Sequence, residues 1–313
     1  MPKVDVHHHV QSPFFTRAMG RASCTCNVPD FEILNSRSLC DKFGVTTAIL
    51  SHTAPGPEVE RDPIKAAALA RQFNEYCASI RDKEPQRFGF FASVPSLHDT
   101  QRCLEEIAYA FDTLCADGII LFTSYTSRPS LDDTGAGARR ASYLGDPAFA
   151  PVWQELNRRR AVVLVHPTYT PNLLPANEAL PVTMLDFSHE TARTALDLVM
   201  SNTLRDYARD CKIILSHGGG TLASVVDRVA VLGGTSGKKS VAEIRDHVAW
   251  FYYDTALCGK AQLDTVRRIA GKEHILFGSD LPNAPAAAVE QFAEDRGDEE
   301  GEAARALFPR LFK

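Results

Sequence analysis

The sequence predicts an α/β protein with the architecture of a (β/α)8 barrel, also called a TIM barrel. Eight short segments rich in Val, Ile, Leu and Phe alternate with segments in which apolar residues recur at helical spacing, and a ring of parallel strands produces this alternation. The 313 residues are 44% hydrophobic and 23% charged, so the chain can bury one large core. No linker, internal repeat or shift of composition divides it, and we expect residues 1–313 to form one domain.

The predicted strands are short and mostly apolar. In chain order they are Lys3–Val6, Val45–Leu50, Phe88–Val94, Gly118–Phe122, Ala161–Val165, Lys212–Ser216, Trp250–Tyr253 and His274–Gly278. Because helical segments connect them, we expect all eight strands to run parallel, with their carboxyl ends opening on one face of the barrel.

The predicted helices follow the strands, and some have clear start signals. Asp99 is a good N-cap, and the proline of Asp146-Pro147 suits the first helical position. The helical segments are Leu34–Phe43, Pro63–Arg81, the stretch from Asp99 to Leu114, the stretch after Asp146-Pro147, Glu190–Arg209, Thr221–Leu232, Val241–His247 and the tail Ala284–Phe312 with an acidic break at Asp295–Glu302. Loops are predicted at Gln11–Glu32, Thr126–Ser142 and Thr168–Ser188.

An open, doubly wound sheet is the main alternative fold. That fold would place a glycine-rich dinucleotide-binding turn after the first strand, and the sequence has none there. The Gly218–Gly220 run lacks the spacing of such a turn. We interpret it as room for a closely bound ligand.

Charge and cysteine content exclude several classes of partner and compartment. The formal net charge is −5 and no basic run is present, which argues against nucleic acid and anionic membranes as partners. The sequence shows neither a signal-peptide pattern nor an apolar stretch of the roughly 18–20 residues that a membrane span needs. The eight cysteines are scattered without a CxxC pair, as in reduced cytoplasmic proteins, and a zinc site at Cys24 and Cys26 would lack two ligands.

Polar residues with metal-binding chemistry recur at the predicted carboxyl ends of the strands. His7 and His9 follow the first strand two positions apart, so they point to the same side. His166, His217 and Asp280 follow the fifth, sixth and eighth strands. In a barrel these five side chains meet in one bowl, and imidazole and carboxylate ligands suit zinc, manganese or iron better than magnesium. The sequence therefore predicts a divalent metal site.

Each of these residues taken alone has a simpler interpretation. A run of three histidines is also found in purification tags, although tags are longer and lie outside the fold. Asp280 alone could cap a helix before Pro282. Single histidines at strand ends are most often hydrogen-bonded structural residues, and His8 is expected to pack outside the site. The same structural interpretation applies to His52, His98, His189, His247 and His274.

Four motifs, VDVHHH, VLVHP, ILSHGGG and ILFGSDLPNAP, resemble the metal-dependent decarboxylase branch of the amidohydrolase superfamily. That branch includes the aminocarboxymuconate semialdehyde, γ-resorcylate and 5-carboxyvanillate decarboxylases. Within it, the stretches TAPGPEVERDPIKAAALARQFNE, FGFFASVPSL, SYLGDPAFAPVW and FYYDTA resemble the fungal 6-methylsalicylate decarboxylases. The segment Gln11–Asp30, with Cys24 and Cys26, and the stretch LASVVDR depart from the usual pattern of the branch.

The resemblance implies particular roles for these residues. It places the metal ligands on His7, His9, His166 and Asp280, with Zn²⁺ as the expected ion and Mn²⁺ as the alternative. It places a catalytic and substrate-binding histidine on His217. By the same resemblance, Arg228 reaches into the site of a neighbouring subunit, which implies a homodimer or a higher oligomer. Asp280 is also the expected catalytic acid.

The expected reaction is nonoxidative decarboxylation of a 2-hydroxybenzoate, most specifically 6-methylsalicylate to 3-methylphenol and CO₂ in fungal-type secondary metabolism. A metal-dependent hydrolase or hydratase of a related aromatic or lactone substrate is the alternative enzyme. A metal-binding regulator built on a barrel is the alternative without catalysis. Hydrolysis needs a water held ready as a nucleophile, whereas decarboxylation needs an acid aimed at a ring carbon.

Overall fold

The strands of the main sheet pair in chain order, all parallel. A computed structural model describes residues 3–21, 33–126, 141–170, 174–293 and 300–312. The strands are β1 (Val4–Val10), β2 (Thr47–His52), β3 (Phe88–Ser93), β4 (Gly118–Phe122), β5 (Ser124–Thr126), β6 (Ala141–Tyr143), β7 (Val162–His166), β8 (Lys212–Leu215), β9 (Tyr252–Asp254) and β10 (Ile275–Leu276). The main sheet has the order β1-β2-β3-β4-β7-β8-β9-β10, while β5 and β6 form a separate antiparallel pair.

Backbone hydrogen bonds join the last strand region to the first. The amide of Val6 donates to the carbonyl of Phe277 at 2.9 Å, and the amide of Asp280 donates to the carbonyl of His7 at 2.7 Å. The amide of His9 donates to the carbonyl of Leu281 at 2.6 Å. The sheet therefore closes into the predicted (β/α)8 barrel, and the closing seam runs beside the predicted metal ligands.

Helices surround the barrel. They are α1 (Pro13–Arg21), α2 (Ile33–Lys42), α3 (Pro63–Lys83), α4 (Thr100–Asp112), α5 (Ala150–Arg158), α6 (Asp186–Met200), α7 (Thr203–Asp206), α8 (Leu222–Thr235), α9 (Val241–Ala249), α10 (Lys260–Ala270), α11 (Ala286–Ala293) and α12 (Glu300–Leu307). The strands lie between this layer and the barrel interior, so side chains such as Phe90, Ile120 and Leu164 are fully or almost fully buried. Within the described ranges, no helix is long and apolar enough to cross a membrane.

Local chemistry sets the helix starts, although not always as predicted. Asp62 caps α3, because its carboxylate accepts hydrogen bonds from the amides of Ile64 and Lys65 at 2.9 and 3.0 Å. The side chain of Asp99 makes no such capping bond and instead accepts a hydrogen bond from Arg102 at 2.8 Å.

The structure differs from the sequence predictions in several helical regions. Part of the predicted loop Gln11–Glu32 is the helix α1, whose Phe15 packs on Phe73, and residues 22–32 lie outside the described residues. The predicted helix Glu190–Arg209 is interrupted, because Asn202 adopts a left-handed φ of 68° between α6 and α7. Helix α10 was not predicted.

The predicted loop Thr126–Ser142 is bounded by a short ribbon. Thr126 pairs with Ala141, and Ser124 pairs with Tyr143, as β5 and β6. Residues 127–140 lie outside the described part of the chain. The ribbon follows directly after β4, so this connection departs from the barrel at its carboxyl face.

Candidate metal centre at the carboxyl ends of the strands

The five side chains predicted to meet at the metal centre lie at the carboxyl ends of barrel strands. His7 and His9 belong to the second half of β1, where the pairing register with β2 shifts. His166 is the last residue of β7, His217 follows β8 after one residue, and Asp280 follows β10 by four residues. The strand β1 is longer than predicted, so His7 and His9 stand within it rather than after it.

The structure brings these side chains together with their ring nitrogens facing one another. The Nε2 atoms of His7 and His9 are 3.1 Å apart, and they lie 3.4 and 3.2 Å from Oδ1 of Asp280. The ring of His166 has its centre 5.1 and 4.8 Å from the ring centres of His7 and His9. Ligands that bind one ion at about 2.0–2.1 Å are themselves separated by roughly 3–3.5 Å, so this spacing suits a shared metal.

Ligand atoms of His7, His166, His217 and Asp280 all lie within 4.8 Å of one another. This group contains His217, for which a substrate-binding and catalytic role was predicted. His9 is outside this particular grouping, yet its Nε2 contacts both His7 and Asp280. The ligand set named from the sequence therefore stays a prediction, with His217 as a fifth side chain at the same centre.

A hydrogen-bond acceptor faces Nδ1 of each of the three predicted histidine ligands. Nδ1 of His7 lies 2.8 Å from a carboxylate oxygen of Asp254. Nδ1 of His9 lies 3.3 Å from the carbonyl of Ser51, and Nδ1 of His166 lies 2.8 Å from the carbonyl of Pro167. A proton on each Nδ1 completes these hydrogen bonds and leaves each Nε2 lone pair free to bind a cation.

Burial and neighbouring side chains shift the pKa values of three residues at the centre. Burial opposes a charge on His7, but the carboxylates of Asp254 and Asp280 outweigh it and raise the pKa of His7 to about 10. Burial, followed by the neighbouring His9 and His7, holds the pKa of His166 well below its usual range. Burial alone would raise the pKa of Asp280, but His7, His217 and His9 outweigh it and hold that pKa well below its usual range.

One buried oxygen at the centre makes no hydrogen bond. Oδ1 of Asp280 finds no hydrogen-bond partner among the described residues, although two imidazole nitrogens lie within 3.4 Å of it. An orphaned buried carboxylate oxygen is costly, and a cation bound between it and the Nε2 atoms would satisfy it. The donor set of imidazoles and a carboxylate fits a divalent transition-metal ion.

The glycine run after His217 forms a tight turn rather than an open cradle. His217 has a φ of 55°, and the three following glycines have φ values between 59° and 73°. A Cβ at Gly220 would lie 2.0 Å from the carbonyl oxygen of Ser188, and one at Gly219 would lie 2.9 Å from the Tyr253 ring. Protein atoms therefore occupy the space that we expected a ligand to take, and glycine is needed for backbone conformation and close packing.

Two buried carboxylates that were not predicted from the sequence support the centre. Asp254 ends β9 and contacts His7, and Asp5 accepts hydrogen bonds from the amides of His7 and Ser279 at 3.1 and 3.0 Å. Both could have been noticed, since Asp254 ends the seventh barrel strand and Asp5 alternates with the histidines of the first. A buried carboxylate within an apolar strand is itself an unusual feature.

The remaining histidines are engaged away from the centre. His8 points away from His7 and His9, and its ring nitrogens contact Asp5 at 3.1 Å and the Ser36 hydroxyl at 2.6 Å. His52 stacks on Phe73 with ring centres 3.9 Å apart. These contacts fit the structural interpretation that the sequence suggested for them.

Arg228 lies on the exposed side of α8. Among the described residues it forms no ion pair, whereas its neighbour Asp227 pairs with Arg245 at 2.8 Å. Arg228 lies eight positions after Gly220, the last glycine of the turn. The predicted contact of Arg228 with another subunit's site stays a prediction.

The profile of the family described as Amidohydrolase matches residues 4–309 of the chain. The chain belongs to the amidohydrolase family. This is the family that the sequence motifs indicated. Its match covers both the barrel strands and the histidines at their ends.

Two curated relatives match this amidohydrolase over nearly its whole length. The 6-methylsalicylic acid decarboxylase of Penicillium expansum is 44% identical over 329 residues, which cover 99% of this chain and 97% of the relative. The 6-methylsalicylic acid decarboxylase of Aspergillus aculeatus is 43% identical over 331 residues, which cover 99% and 96%. The resemblance to fungal 6-methylsalicylate decarboxylases predicted from the sequence is therefore confirmed.

A solved structure supports the same fold. The dihydroxybenzoic acid decarboxylase of a Polaromonas species, with bound manganese and the inhibitor 2-nitroresorcinol, matches with a TM-score of 0.79 at 23% identity, covering 100% of this chain and 98% of that one. At this identity the match establishes the shared barrel, while the metal and the inhibitor are features of that protein.

Proposed function

We propose that this amidohydrolase is a metal-dependent nonoxidative decarboxylase of a 2-hydroxybenzoate. The observation that carries the proposal is that the two carboxylate oxygens of Asp280 face different neighbours. Its Oδ1 faces the Nε2 atoms of His7 and His9 without a hydrogen bond, while its Oδ2 lies 3.3 Å from Nε2 of His217. One oxygen is thus suited to a cation and the other to proton transfer. The relatives at 43–44% identity favour 6-methylsalicylate as the substrate, giving 3-methylphenol and CO₂.

His7, His9, His166 and Asp280 are the proposed ligands of one divalent ion per subunit. Zn²⁺ is our first choice because imidazole nitrogens dominate the set, and Mn²⁺ is the alternative, as in the Polaromonas protein. When bound, the ion would supply a Lewis acid for an anionic aromatic acid. All four side chains are buried, so the bound ion would have little exposure to water.

The pair formed by His217 and Asp280 is the proposed proton source. A proton added to the ring carbon that carries the carboxylate allows the C–C bond to break, so that its electrons return to the ring and CO₂ leaves. Nε2 of His217 lies 3.3 Å from Oδ2 of Asp280, so a proton can pass between these two atoms and from Oδ2 to the substrate. His217 also orients the substrate.

We propose a homodimer, or a higher oligomer built from it, in which α8 contributes to the subunit interface. Arg228, Val231 and Leu232 lie on one side of this helix, three and four positions apart, and the two apolar side chains are 50% and 55% exposed. Exposed large apolar residues beside a cation without an ion pair among the described residues are typical of a contact surface. In the partner's site Arg228 would bind an anionic oxygen of the substrate.

A cytoplasmic location is proposed from the cysteines. The six cysteines in the described ranges are free thiols, and five of them are buried as core residues. This usage suits a reducing compartment. A place in fungal-type secondary metabolism follows only if the substrate is the one that the relatives' names indicate.

The proposal is tested by incubating the metal-loaded protein with a panel of hydroxybenzoates. We expect CO₂ release together with the matching phenol, fastest with 6-methylsalicylate and dependent on added metal. Chromatography of the products distinguishes decarboxylation from hydrolysis or hydration. Turnover of amides or lactones without CO₂ would indicate a hydrolase instead. Metal binding without any turnover across the panel would indicate a regulator.

A further inference from the structure

Asp254 stands between two residues of the metal centre without belonging to it. It is fully buried at the end of β9. Its Oδ2 lies 2.8 Å from Nδ1 of His7. Its Oδ1 accepts hydrogen bonds from the backbone amides of His217 at 2.9 Å and Ala256 at 3.0 Å. Each carboxylate oxygen therefore has a different task.

The approach of Asp254 to His7 requires a glycine on the neighbouring strand end. A Cβ at Gly278 would lie 2.9 Å from Cβ of His7 and 3.0 Å from Cβ of Asp254. Real side chains essentially never come so close, so the absence of a side chain at this position lets the carboxylate and the imidazole meet. Gly278 has no positive φ, so only space demands glycine there.

We propose that Asp254 is a positioning residue of the metal centre that acts through both of its oxygens. Oδ2 keeps the hydrogen of His7 on Nδ1, so that the Nε2 lone pair faces the other ligands. Oδ1 holds the backbone of His217 in its left-handed conformation, φ 55°, beside Asp280. This inference rests on the metal site proposed above but not on the identity of the substrate.

An asparagine at this position separates the two tasks. In Asp254→Asn the amide oxygen can still accept from His217 and Ala256, because these two partners are donors. The amide nitrogen must then face Nδ1 of His7, where it can only donate. Nδ1 must accept, the hydrogen moves to Nε2, and it then occupies the direction in which a metal would bind. We expect metal affinity to fall by about 10–100-fold while folding is largely kept.

The test compares metal affinity and folding in matched variants. Metal-free wild-type protein, Asp254→Asn and Glu106→Gln are titrated with Co²⁺ against a competing chelator, and the visible absorption of bound Co²⁺ is recorded. Glu106 is a buried carboxylate that accepts hydrogen bonds from Asn74 and Arg71 away from the centre. Its replacement should lower thermal stability but leave Co²⁺ affinity and spectrum unchanged. Asp254→Asn should lower Co²⁺ affinity and change the spectrum while thermal stability is largely kept.

The outcomes separate this inference from the metal site itself. If wild-type protein does not bind Co²⁺, the metal site is wrong. If wild-type protein binds Co²⁺ and Asp254→Asn binds it equally well with the same spectrum, the role of Asp254 is overturned while the metal site stands. Should Asp254→Asn not fold, NMR of ¹⁵N-histidine-labelled, Zn²⁺-loaded wild-type protein decides: His7 must carry its hydrogen on Nδ1, and a hydrogen-free Nδ1 would overturn the inference.

Discussion

The hydroxyl of Ser279 donates a 2.5 Å hydrogen bond to Oδ2 of Asp5, so the residue before Asp280 is fastened to the strand that carries His7 and His9. The amide of Ser279 donates to the other oxygen of Asp5 at 3.0 Å, and the Ser279 hydroxyl accepts from the amide of Leu281 at 3.1 Å. These bonds enclose Asp280, whose φ of 60° is unfavourable for a residue other than glycine.

Removing this hydroxyl should loosen Asp280. Ser279→Ala leaves an oxygen of the buried Asp5 carboxylate with one donor fewer, and we expect the free energy of unfolding to fall by about 1–3 kcal/mol. Divalent-metal affinity should fall as well, because Asp280 loses its support. Urea unfolding and a metal titration measure both quantities.

Ser93→Ala is the matched control for stability. Ser93 is equally buried, but its hydroxyl has no hydrogen-bond partner among the described residues. Its removal should change the free energy of unfolding little. Equal effects of the two substitutions would contradict a special role for the bond between Ser279 and Asp5.

A methyl group at Gly278 should disturb the centre without removing any ligand. The added Cβ would lie 2.9 Å from Cβ of His7, so β1 and the segment after β10 must move apart. We expect Gly278→Ala to lower both stability and metal affinity. Gly20→Ala is the control, since no described residue lies within 4 Å of a Cβ there and alanine favours the helix in which it lies. Unchanged metal affinity in Gly278→Ala would show that the centre tolerates the shift.

The sequence revealed the centre where its ligands follow the period of a strand. His7 and His9 are two residues apart in an apolar strand, and His166 and His217 end equally apolar runs, so both their alignment and their common face follow from barrel geometry. The roles of Asp5, Asp254 and Gly278 depend on contacts between β1, β9 and the residues after β10. The contact of His7 with Asp254 and that of Asp5 with Ser279 join positions 247 and 274 residues apart, so they have no local pattern.

Apolar runs also made most of the fold predictable. The errors in the predicted helices have local causes. Strand β4 begins and ends as predicted because its apolar run is bounded on both sides. Helix α10 was overlooked although Leu263, Val266 and Ala270 are buried at helical spacing. The end of α6 depends on the left-handed conformation of Asn202, which apolar periodicity does not indicate.

Acid should destabilise the fold through His52. Burial, followed by the neighbouring His9, lowers the pKa of His52 to about 3, whereas the unfolded chain keeps the ordinary value near 6.5. Between these two values the unfolded state binds a proton that the folded state does not, so the free energy of unfolding falls as the pH drops below 6.5. Above pH 6.5 His52 contributes no pH dependence.

Comparison with His52→Gln isolates this contribution. Urea unfolding of both metal-free proteins is measured from pH 8 to pH 4. Between pH 6 and pH 4 the wild-type protein should lose about 2 kcal/mol more than the variant. Parallel curves for the two proteins would show that His52 is not the acid-sensitive residue.

Subunits carrying different lesions should complement each other if Arg228 acts across the interface. Arg228→Ala and His166→Ala should each be inactive, since one lacks the arginine supplied to the partner and the other lacks a metal ligand. In a hybrid dimer one of the two sites receives both residues intact, so an equal mixture should recover about a quarter of wild-type activity.

The control is Arg245→Ala, which removes an exposed arginine that pairs with Asp227 next to Arg228. This variant should keep its activity, because a surface ion pair contributes little. Confirmed subunit exchange without any recovery of activity in the mixture would contradict a site completed by the partner.

Proton delivery to the ring makes the last prediction. The electrons of the broken C–C bond need an acceptor, and protonation of the carbon that carries the carboxylate provides one. An ortho hydroxyl raises electron density at that carbon, so plain benzoate should not be decarboxylated. In D₂O, deuterium should appear in the product at the carbon that lost CO₂.

Asp280→Asn and His217→Ala should both abolish turnover, because each interrupts the 3.3 Å contact between Oδ2 and Nε2 that carries the proton. Substrate binding should survive better in His217→Ala, which keeps every proposed metal ligand, and titration with 6-methylsalicylate measures this difference. Efficient decarboxylation of benzoate would overturn the mechanism, since it would need neither the ortho oxygen nor the electron density that this oxygen supplies.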